Sequence, residues 1–386
     1  MITPDYQGGG ITNLMASISE ALGGGPTGYA PARLLPPERL ARGEKQVLLI
    51  LDGLGYDRLR TTPQARLLNH ALLGPLTSVC PPTTASAIPT FLTGRPPQQH
   101  GFTGWFNWFG ELGSLAAVLP FKHRCGGASL ANAVSPSQLC GLPPLTDRLR
   151  CPSHLVLPEW IADTPFNRAF AGKATHWPYR GLADFVGRIE AALRAEAGAA
   201  YLYAYWPGYD TIAHEYGPSS RQARHHLLEL DRAIEQLLPV LKQTRATLIV
   251  TADHGFIDSS PERTLLLADH PQLAETLLMP LSGEPRLAYG YVRPERRGAF
   301  ESYVRGPLAP YCDLLPGQEL IERGWFGLGP PHPRLAERVG HYALVMRENY
   351  TIKDWIPGEE PYVHLGVHGG MSREEMLTPL ILFETA

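Results

Sequence analysis

The sequence predicts an α/β protein in which a mostly parallel central sheet is sandwiched between helices, with an inserted cap region. The strongest sign is a set of continuous apolar runs of strand length, typical of strands buried on both faces of a parallel sheet. These runs are QVLLILDGLG (46–55), AAYLYAYWPGYD (199–210), ATLIVTADHG (246–255) and MLTPLILFE (376–384). A helical pattern separates the second run from the third, and this alternation favours the architecture. The 39 glycines and 37 prolines indicate many turns and loops rather than a helical bundle.

The first half of the chain contains an arm, a strand and a strand–helix unit. Residues 1–44 are rich in glycine and proline, which predicts an N-terminal arm with a short helix around Met15–Leu22. The first buried strand follows this arm. Residues 77–95 begin as a short strand and continue as a helix that begins near Thr84. Residues 105–180 are weakly periodic and rich in aromatic residues, glycine and proline, so no regular element is predicted there.

The second half contains the longest predicted helix and the predicted insertion. Apolar residues recur at helical spacing over about Ser219–Leu241. They are Leu227, Leu230, Ile234 and Leu238. Residues 257–365 mix short strands with a helix near Gly317–Arg323, and they resemble an insertion or cap. We therefore expect an α/β core formed by residues 45–256 and 366–386, with the cap inserted between these two parts.

The composition argues against several classes of function. A hydrophobic fraction of 44% and a charged fraction of 18% are typical of a globular enzyme, and a net charge of -3 gives no broad field that attracts nucleic acid or anionic membrane. The five cysteines include no CxxC pair, so neither a disulfide framework nor a cysteine zinc site is expected. A secretion signal and a bilayer-length apolar run are both absent, so we expect a cytoplasmic enzyme with no membrane or nucleic acid polymer as partner. The sequence does not predict its oligomeric state.

Three aspartates lie at the carboxyl ends of predicted buried strands. Asp52 ends the run LLILD, Asp210 ends YWPGYD and Asp253 follows IVTA. A charge at the end of so apolar a strand requires compensation. In open α/β sheets the functional residues gather beyond the carboxyl ends of the strands, so we expect the three carboxylates to lie at one site.

Three histidines accompany these aspartates. His214 lies four residues after Asp210, the spacing at which two side chains meet on one helix face. His254 directly follows Asp253 and precedes a glycine that permits a sharp turn, and His368 lies in the loop GVHGGMS. Carboxylate and imidazole are ligands that zinc and related divalent ions accept. The set therefore indicates a two-metal site.

These motifs, together with CPPTTASAIPTFLTGR, occur in one order along the chain. In that order and context they resemble the alkaline phosphatase superfamily, in particular its type I phosphodiesterase/nucleotide pyrophosphatase branch, from about residue 46 to residue 384. The resemblance implies two divalent metal ions, with zinc expected first and manganese as the alternative. One ion would be held by Asp210, His214 and His368, and the other by Asp52, Asp253 and His254.

The resemblance also identifies a nucleophile. The family places it nine residues before the threonine of a Thr-Gly pair, and counting back from Thr93 gives Thr84. The free N–H groups and partial positive charge of a helix N-terminus suit an incoming phosphate. Metal coordination would lower the pKa of the hydroxyl, so that it attacks as an alkoxide. Thr83 is the alternative if the register shifts by one residue.

The implied reaction is hydrolysis of a phosphodiester or pyrophosphate bond in a small phosphate ester through a phospho-threonine intermediate. A phosphomonoesterase or phosphonate hydrolase of the same superfamily is the alternative, and Lys122 or Arg95 could then neutralise the extra charge of a monoester. A non-catalytic protein that binds metal structurally is an alternative of another class. A sulfatase is not expected, because Ile88 occupies the place where sulfatases carry an arginine.

Substrate binding departs from the family pattern. The aromatic residue that follows the nucleophile in nucleotide-cleaving members is Ala85 here. Their phosphate-binding asparagine, about twenty residues past the nucleophile, corresponds by strict counting to Trp105, with Asn107 two residues further on. Both are candidate substrate-binding residues. The aromatic segment GFTGWFNWFG (101–110) is either a platform for the leaving group or packing between cap and core.

Overall fold

Alternate residues of the first buried strand face opposite sides of a central sheet. In the computed structural model, which describes residues 1–384, Leu48 and Ile50 pack into one hydrophobic cluster. Val47, Leu49 and Leu51 pack into a second cluster on the other face. Both faces are therefore covered, as expected for a strand inside a parallel sheet.

The strands of the described residues fall into two large sheets and two short pairs. They are β1 (Lys45–Leu51), β2 (Leu72–Thr77), β3 (Phe106–Phe109), β4 (Ser114–Ala117), β5 (Lys122–His123), β6 (Ser153–Pro158), β7 (Thr175–Tyr179), β8 (Ala200–Trp206), β9 (Ala246–Thr251), β10 (Ile257–Asp258), β11 (Thr264–Leu266), β12 (Ser282–Glu284), β13 (Leu287–Gly290), β14 (Cys312–Pro316), β15 (Tyr342–Met346), β16 (Thr351–Lys353), β17 (Gly366–Val367) and β18 (Leu377–Phe383).

The central sheet has seven strands in the order β2-β18-β9-β1-β8-β6-β7. Strand β18 pairs antiparallel with both β2 and β9, and the other pairs are parallel. The predicted mostly parallel sheet is thus confirmed. The sequence pattern missed β6 and β7, which lie in the weakly periodic segment. Strand β7 is a half-exposed edge strand, and such a strand lacks the continuous apolar run of its neighbours.

Helices cover both faces of this sheet. They are α1 (Ile11–Ala21), α2 (Pro37–Leu40), α3 (Tyr56–Arg60), α4 (Arg66–His70), α5 (Thr84–Thr93), α6 (Pro97–His100), α7 (Pro136–Cys140), α8 (Leu145–Arg148), α9 (Glu159–Ala162), α10 (Pro165–Ala171), α11 (Gly181–Ala195), α12 (Gly208–Tyr216), α13 (Arg221–Thr244), α14 (Pro271–Ala274), α15 (Arg297–Arg305), α16 (Gly317–Glu322), α17 (Leu335–Val339) and α18 (Arg373–Met376). No helix within residues 1–384 is long and apolar enough to cross a membrane.

Two pairs of long helices form the outer layers. Helices α1 and α5 pack on the face that contains Leu48, and α11 and α13 pack on the face that contains Leu49. The predicted N-terminal arm therefore contributes a helix to the core, because Leu14 and Met15 of α1 are fully buried there. The helix predicted over 219–241 is α13, whose buried residues include Leu227 and Leu230.

The second large sheet has the order β14-β15-β13-β12-β3-β4-β5. Four of its strands come from the predicted cap, and β3, β4 and β5 come from residues 106–123. The aromatic segment 101–110 therefore joins this sheet through the pairing of Phe106 with Gly283. Since the second layer draws on two parts of the chain, the division into a core and a cap over 257–365 remains a proposal.

Candidate functional site

The carboxyl edge of the central sheet brings the three aspartates together. Strand β1 lies between β8 and β9 and is parallel to both. Asp52 directly follows β1, Asp253 lies two residues after β9, and Asp210 lies in the first turn of α12, just beyond β8. The three strands therefore end at one edge, where the carboxylates converge.

Two glycines allow the chain to turn sharply at this edge. Gly53 has φ +76°, and a Cβ atom there would lie 2.4 Å from the ring of Phe256. A Cβ atom on Gly255 would lie 2.0 Å from the carbonyl oxygen of Glu374. A Cβ atom at either position would collide with these neighbours, so the turn after Asp52 and the close approach beside His254 require glycine.

One donor group consists of Asp52, Asp253 and His254, whose ligand atoms lie within 4.8 Å of one another. The His254 Nε2 atom is 3.4 Å from Asp52 Oδ1 and 3.4 Å from Asp253 Oδ2. The second carboxylate oxygens are held by the protein. Asp253 Oδ1 accepts the backbone N–H of Gly53 at 3.1 Å, and Asp52 Oδ2 accepts the hydroxyl of Tyr205. These bonds orient the remaining oxygen of each carboxylate toward His254.

A second donor group consists of Asp210, His214 and His368. Asp210 Oδ1 lies 3.5 Å from His214 Nε2 and 4.0 Å from His368 Nε2. His254 also lies within 4.8 Å of the ligand atoms of Asp210 and His368, and its ring stacks on His368 with centroids 3.8 Å apart. The two donor groups are therefore adjacent. The structure brings all six predicted ligands to one place, while their role as metal ligands stays a prediction.

The histidines of these groups share one hydrogen-bonding pattern. The Nδ1 atom of His214 lies 2.9 Å from the carbonyl oxygen of Gly366, and that of His254 lies 3.1 Å from the carbonyl of its neighbour. His368 Nδ1 contacts the Pro82 carbonyl oxygen at 3.3 Å. Because a carbonyl oxygen only accepts, each Nδ1–H donates, and each ring presents its Nε2 atom to the site.

Several features of the site fit a divalent cation. His214 and His368 bring their Nε2 atoms within 3.2 Å of each other, and two lone pairs at that distance repel unless a cation lies between them. Three buried carboxylate oxygens also have no hydrogen-bond partner within the described chain. They are Asp52 Oδ1, Asp210 Oδ1 and Asp253 Oδ2. Buried acceptors of this kind require compensation, and the donor set is one that zinc accepts.

The pKa shifts of the site residues also favour a bound cation. Burial, with repulsion from Asp253 and Asp210, raises the pKa of Asp52 well above its ordinary value. Burial and repulsion from Asp253 likewise raise the pKa of Asp210. Burial lowers the pKa of His214 to about 3, so its imidazole is neutral at pH 7. The protein thus gathers carboxyl groups whose ionised form it does not itself stabilise, and His214 stays available as a ligand.

Thr84 is the first residue of α5 and faces the donor groups. Its Oγ1 atom lies 3.2 Å from His254 Nε2. Thr83 precedes the helix and is 1% exposed. The hydroxyl at the helix start that contacts a predicted ligand therefore belongs to Thr84, the residue that sequence counting selected.

Two cavities meet at Thr84. We call the first the cap cavity; it has a volume of about 480 Å³, and its walls include Glu284, Lys353, Trp355, Tyr362 and His364. We call the second the core cavity; it has a volume of about 490 Å³, and its walls include Ile88, Leu157, Trp160, Ile161 and Phe166. Thr84, Trp105 and Asp210 line both cavities.

The two candidate substrate-binding residues lie in different surroundings. Trp105 stands between the cavities and is 36% exposed. Asn107 is fully buried, donates to the carbonyl oxygen of Gly101 at 3.2 Å, and is not among the residues that line either cavity. Direct contact between Asn107 and a substrate stays a prediction. Of the two candidate cations, Lys122 lines the core cavity and Arg95 lines neither.

Sequence reasoning missed several residues of the site. Tyr205, which binds Asp52, reads as one more aromatic residue of a buried strand. Glu284 and Lys353 lie in the predicted cap, far in sequence from every motif, and His364 lies two residues before the loop GVHGGMS. Glu284 belongs to the second large sheet and Lys353 to the short pair β11-β16, and long-range packing brings both to the cap cavity. No local pattern in the sequence indicates this contact.

Comparison with known proteins supplies the family. Residues 46–115 and 122–324 match the family model for type I phosphodiesterase / nucleotide pyrophosphatase. The chain belongs to this family. The resemblance to this branch of the alkaline phosphatase superfamily is therefore confirmed. A search of curated proteins gives no significant match.

Solved structures confirm the fold. Murine ectonucleotide pyrophosphatase / phosphodiesterase 5 superimposes with a TM-score of 0.64 and 20% identity over 88% of this chain and 87% of its own. Its inactive threonine-to-alanine variant in complex with AMP gives 0.64 and 20% over 87% of each chain. Phosphonoacetate hydrolase from Sinorhizobium meliloti in complex with phosphonoacetate gives 0.61 and 17% over 88% and 89%. At these identities the likeness concerns the fold.

Proposed function

We propose that this protein hydrolyses phosphodiester or pyrophosphate bonds in small phosphate esters, with Thr84 as nucleophile. The main support is the position of the Thr84 hydroxyl. It lies at the start of a helix, 3.2 Å from the His254 Nε2 atom, where two adjacent donor groups meet. The family of the chain contains such hydrolases. Among similar structures, a murine relative is described as inactive when a threonine is replaced by alanine.

The site would hold two divalent ions, zinc by preference and manganese as the alternative. Asp52, Asp253 and His254 would bind one ion. Asp210, His214 and His368 would bind the other. Ions bound there would lower the pKa of the Thr84 hydroxyl and stabilise the charge that develops on the phosphoryl oxygens. The unpartnered carboxylate oxygens of the site support this assignment.

The reaction has two steps. Thr84 loses its hydroxyl proton to solvent water, and its Oγ forms a bond to phosphorus while the leaving group departs with the electron pair of the breaking bond. A water molecule then attacks phosphorus from the opposite face. Thr84 Oγ leaves with the P–O electron pair and regains a proton, so that one ester bond and one water are consumed. The free N–H groups at the start of α5 orient the phosphoryl oxygens through both steps.

A phosphomonoesterase or phosphonate hydrolase is the second candidate. Such substrates carry a further negative charge that requires a cation, and Lys122 and Lys353 line the two cavities that meet at Thr84. A structure of similar fold is described as a phosphonate hydrolase in complex with phosphonoacetate. The cytoplasmic location also stays a prediction.

A rate comparison tests the proposal. Zinc- or manganese-loaded protein is assayed on methyl para-nitrophenyl phosphate, on para-nitrophenyl phosphate and on phosphonoacetate. The leading proposal predicts the highest kcat/KM for the diester, and phosphate on Thr84 should appear by mass spectrometry after acid quench. Preference for the monoester or the phosphonate would favour the second candidate. No turnover of any substrate and no covalent phosphate would indicate a non-catalytic metal-binding protein.

A further inference from the structure

The two cavities are lined by different members of the donor groups. Asp52 lines the core cavity but not the cap cavity, whereas His214 and His368 line the cap cavity but not the core cavity. Thr84 contacts His254, which belongs to the donor group of Asp52. An in-line displacement expels its leaving group away from the nucleophile, which is the side of His214 and His368. The cap cavity is therefore the side to which a leaving group departs.

The cap cavity contains a lysine with unused hydrogen-bonding capacity. Lys353 is 7% exposed, and within residues 1–384 its ammonium has one hydrogen-bond acceptor, the carbonyl oxygen of Tyr362 at 3.2 Å. An ammonium has three donors. The Nζ atom lies 3.9 Å from the ring centroid of Tyr362 and 5.0 Å from that of Trp355, so aromatic faces hold the charge in place. Burial lowers the pKa of Lys353 to about 8, which leaves it protonated at pH 7.

The arginine of this wall is already paired. Arg124 donates to Asp354 Oδ1 at 3.0 Å and to Glu359 Oε1 at 2.8 Å, so its guanidinium and both carboxylates are engaged. Glu284 accepts the backbone N–H of Trp105 at 2.6 Å, and its charge acts on Lys353 without a direct hydrogen bond among the described residues. Glu360 also lines this cavity. The contacts of Arg124 also attach the loop that follows Lys353 to the second sheet. Lys353 is thus the cation of this wall with donors left for a ligand.

We propose that the cap cavity is a leaving-group subsite in which Lys353 binds an anionic oxygen group, a carboxylate or a phosphate, on the departing part of the substrate. The inference rests on the proposed function and narrows its substrate class. Substrates would carry a second anionic group beyond the scissile bond. Trp355 and Tyr362 would pack against the atoms that connect this group to the bond.

The test compares leaving groups that differ in charge. One methyl phosphodiester releases para-nitrophenol, and its partner releases a nitrophenol that carries a carboxylate. A nucleoside diphosphate, which releases phosphate, tests the other anion. The variants are Lys353→Met, Lys353→Arg and the matched control Lys45→Met. Lys45 is 4% exposed and donates to a backbone carbonyl at 3.3 Å, but it begins β1 at the edge of the sheet opposite Asp52.

The expected result is a selective loss. Lys353→Met lowers kcat/KM for one or both anionic leaving groups by about 10- to 100-fold, the effect of one charged hydrogen bond, and leaves the para-nitrophenol diester unchanged. The affected anion identifies the ligand. Lys353→Arg retains part of the selectivity, and Lys45→Met retains all of it. Equal losses on all three substrates, or the selective loss in Lys122→Met instead, would overturn the proposal.

Binding of the product gives a second readout. Isothermal titration calorimetry measures the affinity of each zinc-loaded variant for the free carboxylated nitrophenol. The affinity of Lys353→Met should be about 10-fold weaker than that of Lys45→Met. Equal affinities, with unchanged melting temperatures, would remove Lys353 from the carboxylate site. If the wild-type protein turns over no diester, the proposed function fails, and this titration still tests the subsite.

Discussion

The core cavity and the cap cavity share Thr84 but are built from different parts of the chain. The core cavity is lined by residues between Asp52 and Thr211, whereas most of the cap cavity wall comes from residues 281–368. The first is lined mainly by residues in and around the helices and strands of the central sheet, and the second by the second large sheet, β16 and the loop that follows β16. Under the proposed function, the central sheet supplies the reaction chemistry and the cap selects the leaving group.

Thr84→Ala should have the largest effect on activity. The loss should be the same for substrates that occupy either cavity. Loss of the nucleophile is expected to lower kcat by about 10⁴-fold or more on every substrate. Metal content, measured by atomic emission, should be unchanged, because Thr84 is not among the six candidate ligands. Thr83→Ala is the matched control and should retain activity. Normal turnover by Thr84→Ala, with loss in Thr83→Ala, would move the nucleophile by one residue.

Removal of metal should be the next largest effect. Chelation is expected to lower activity by about 10³-fold on all substrates, and zinc or manganese should restore it. His254→Ala should reduce both metal occupancy and activity, because His254 belongs to the first donor group and also lies within 4.8 Å of the ligand atoms of Asp210 and His368. His225→Ala, an exposed histidine of α13, is the control. Full activity in the presence of a chelator would contradict a metal-dependent reaction.

The metal-free protein should also show a defined pH dependence of stability. The pKa values of Asp52 and Asp210 are higher in the folded chain than in the unfolded chain, so the folded chain binds more protons. Its free energy of unfolding is therefore greatest below about pH 4 from this source and falls as the pH rises through the raised values. The lowered pKa of His214 acts in the opposite sense below about pH 6.5, so the carboxylate contribution is measured as the difference in slope between wild type and Asp52→Asn. Urea denaturation of both chelated proteins between about pH 5 and pH 8 gives these slopes. Stability should fall more steeply with pH in the wild type, bound zinc should remove the difference, and equal slopes would contradict the assignment.

Trp105→Ala should weaken the binding of substrates that occupy either cavity. The indole lines both, and its backbone N–H, which Glu284 holds, is unaffected by the substitution. Loss of an aromatic contact on each side is expected to raise KM by about 10-fold for substrates of either type. Trp355→Ala is the comparison variant and should raise KM only for substrates that occupy the cap cavity. If Trp105→Ala affects one substrate type alone, Trp105 belongs to one cavity.

Ile161→Ser should have the smallest effect, confined to the core cavity. The half-buried side chain lines this cavity, and its loss is expected to raise KM by about 5-fold for diesters with a bulky apolar group on the part that is not released. The methyl diesters should be unaffected. Ile321→Ser, at a half-buried position of α16 away from both cavities, is the control. A greater effect on anionic leaving groups would reverse the assignment of the cavities.

The fold could be predicted where burial of an element produces a hydrophobic pattern in its sequence. Strands β1, β8 and β9 are buried on both faces and read as apolar runs, and α13 shows helical spacing because one of its faces is covered. Strands β6 and β7 were missed, since the segment that contains them has no such periodicity. The join between residues 106–123 and the cap was missed for another reason: pairing such as that of Phe106 with Gly283 leaves no local pattern.

The sequence by itself determined the family, the candidate nucleophile and the six candidate ligands. Burial of aspartate and histidine at the ends of apolar strands costs free energy unless a ligand or partner compensates their charge, and these residues occur in a recognisable order along the chain. The tertiary structure decided which residues surround them. Glu284 reaches the site on β12 of the second large sheet and Lys353 on β16 of a separate short pair, and only the folded chain brings together groups so far apart in sequence. The end of a buried strand can be predicted from the local sequence pattern, whereas the residues that line a cavity are determined by long-range packing.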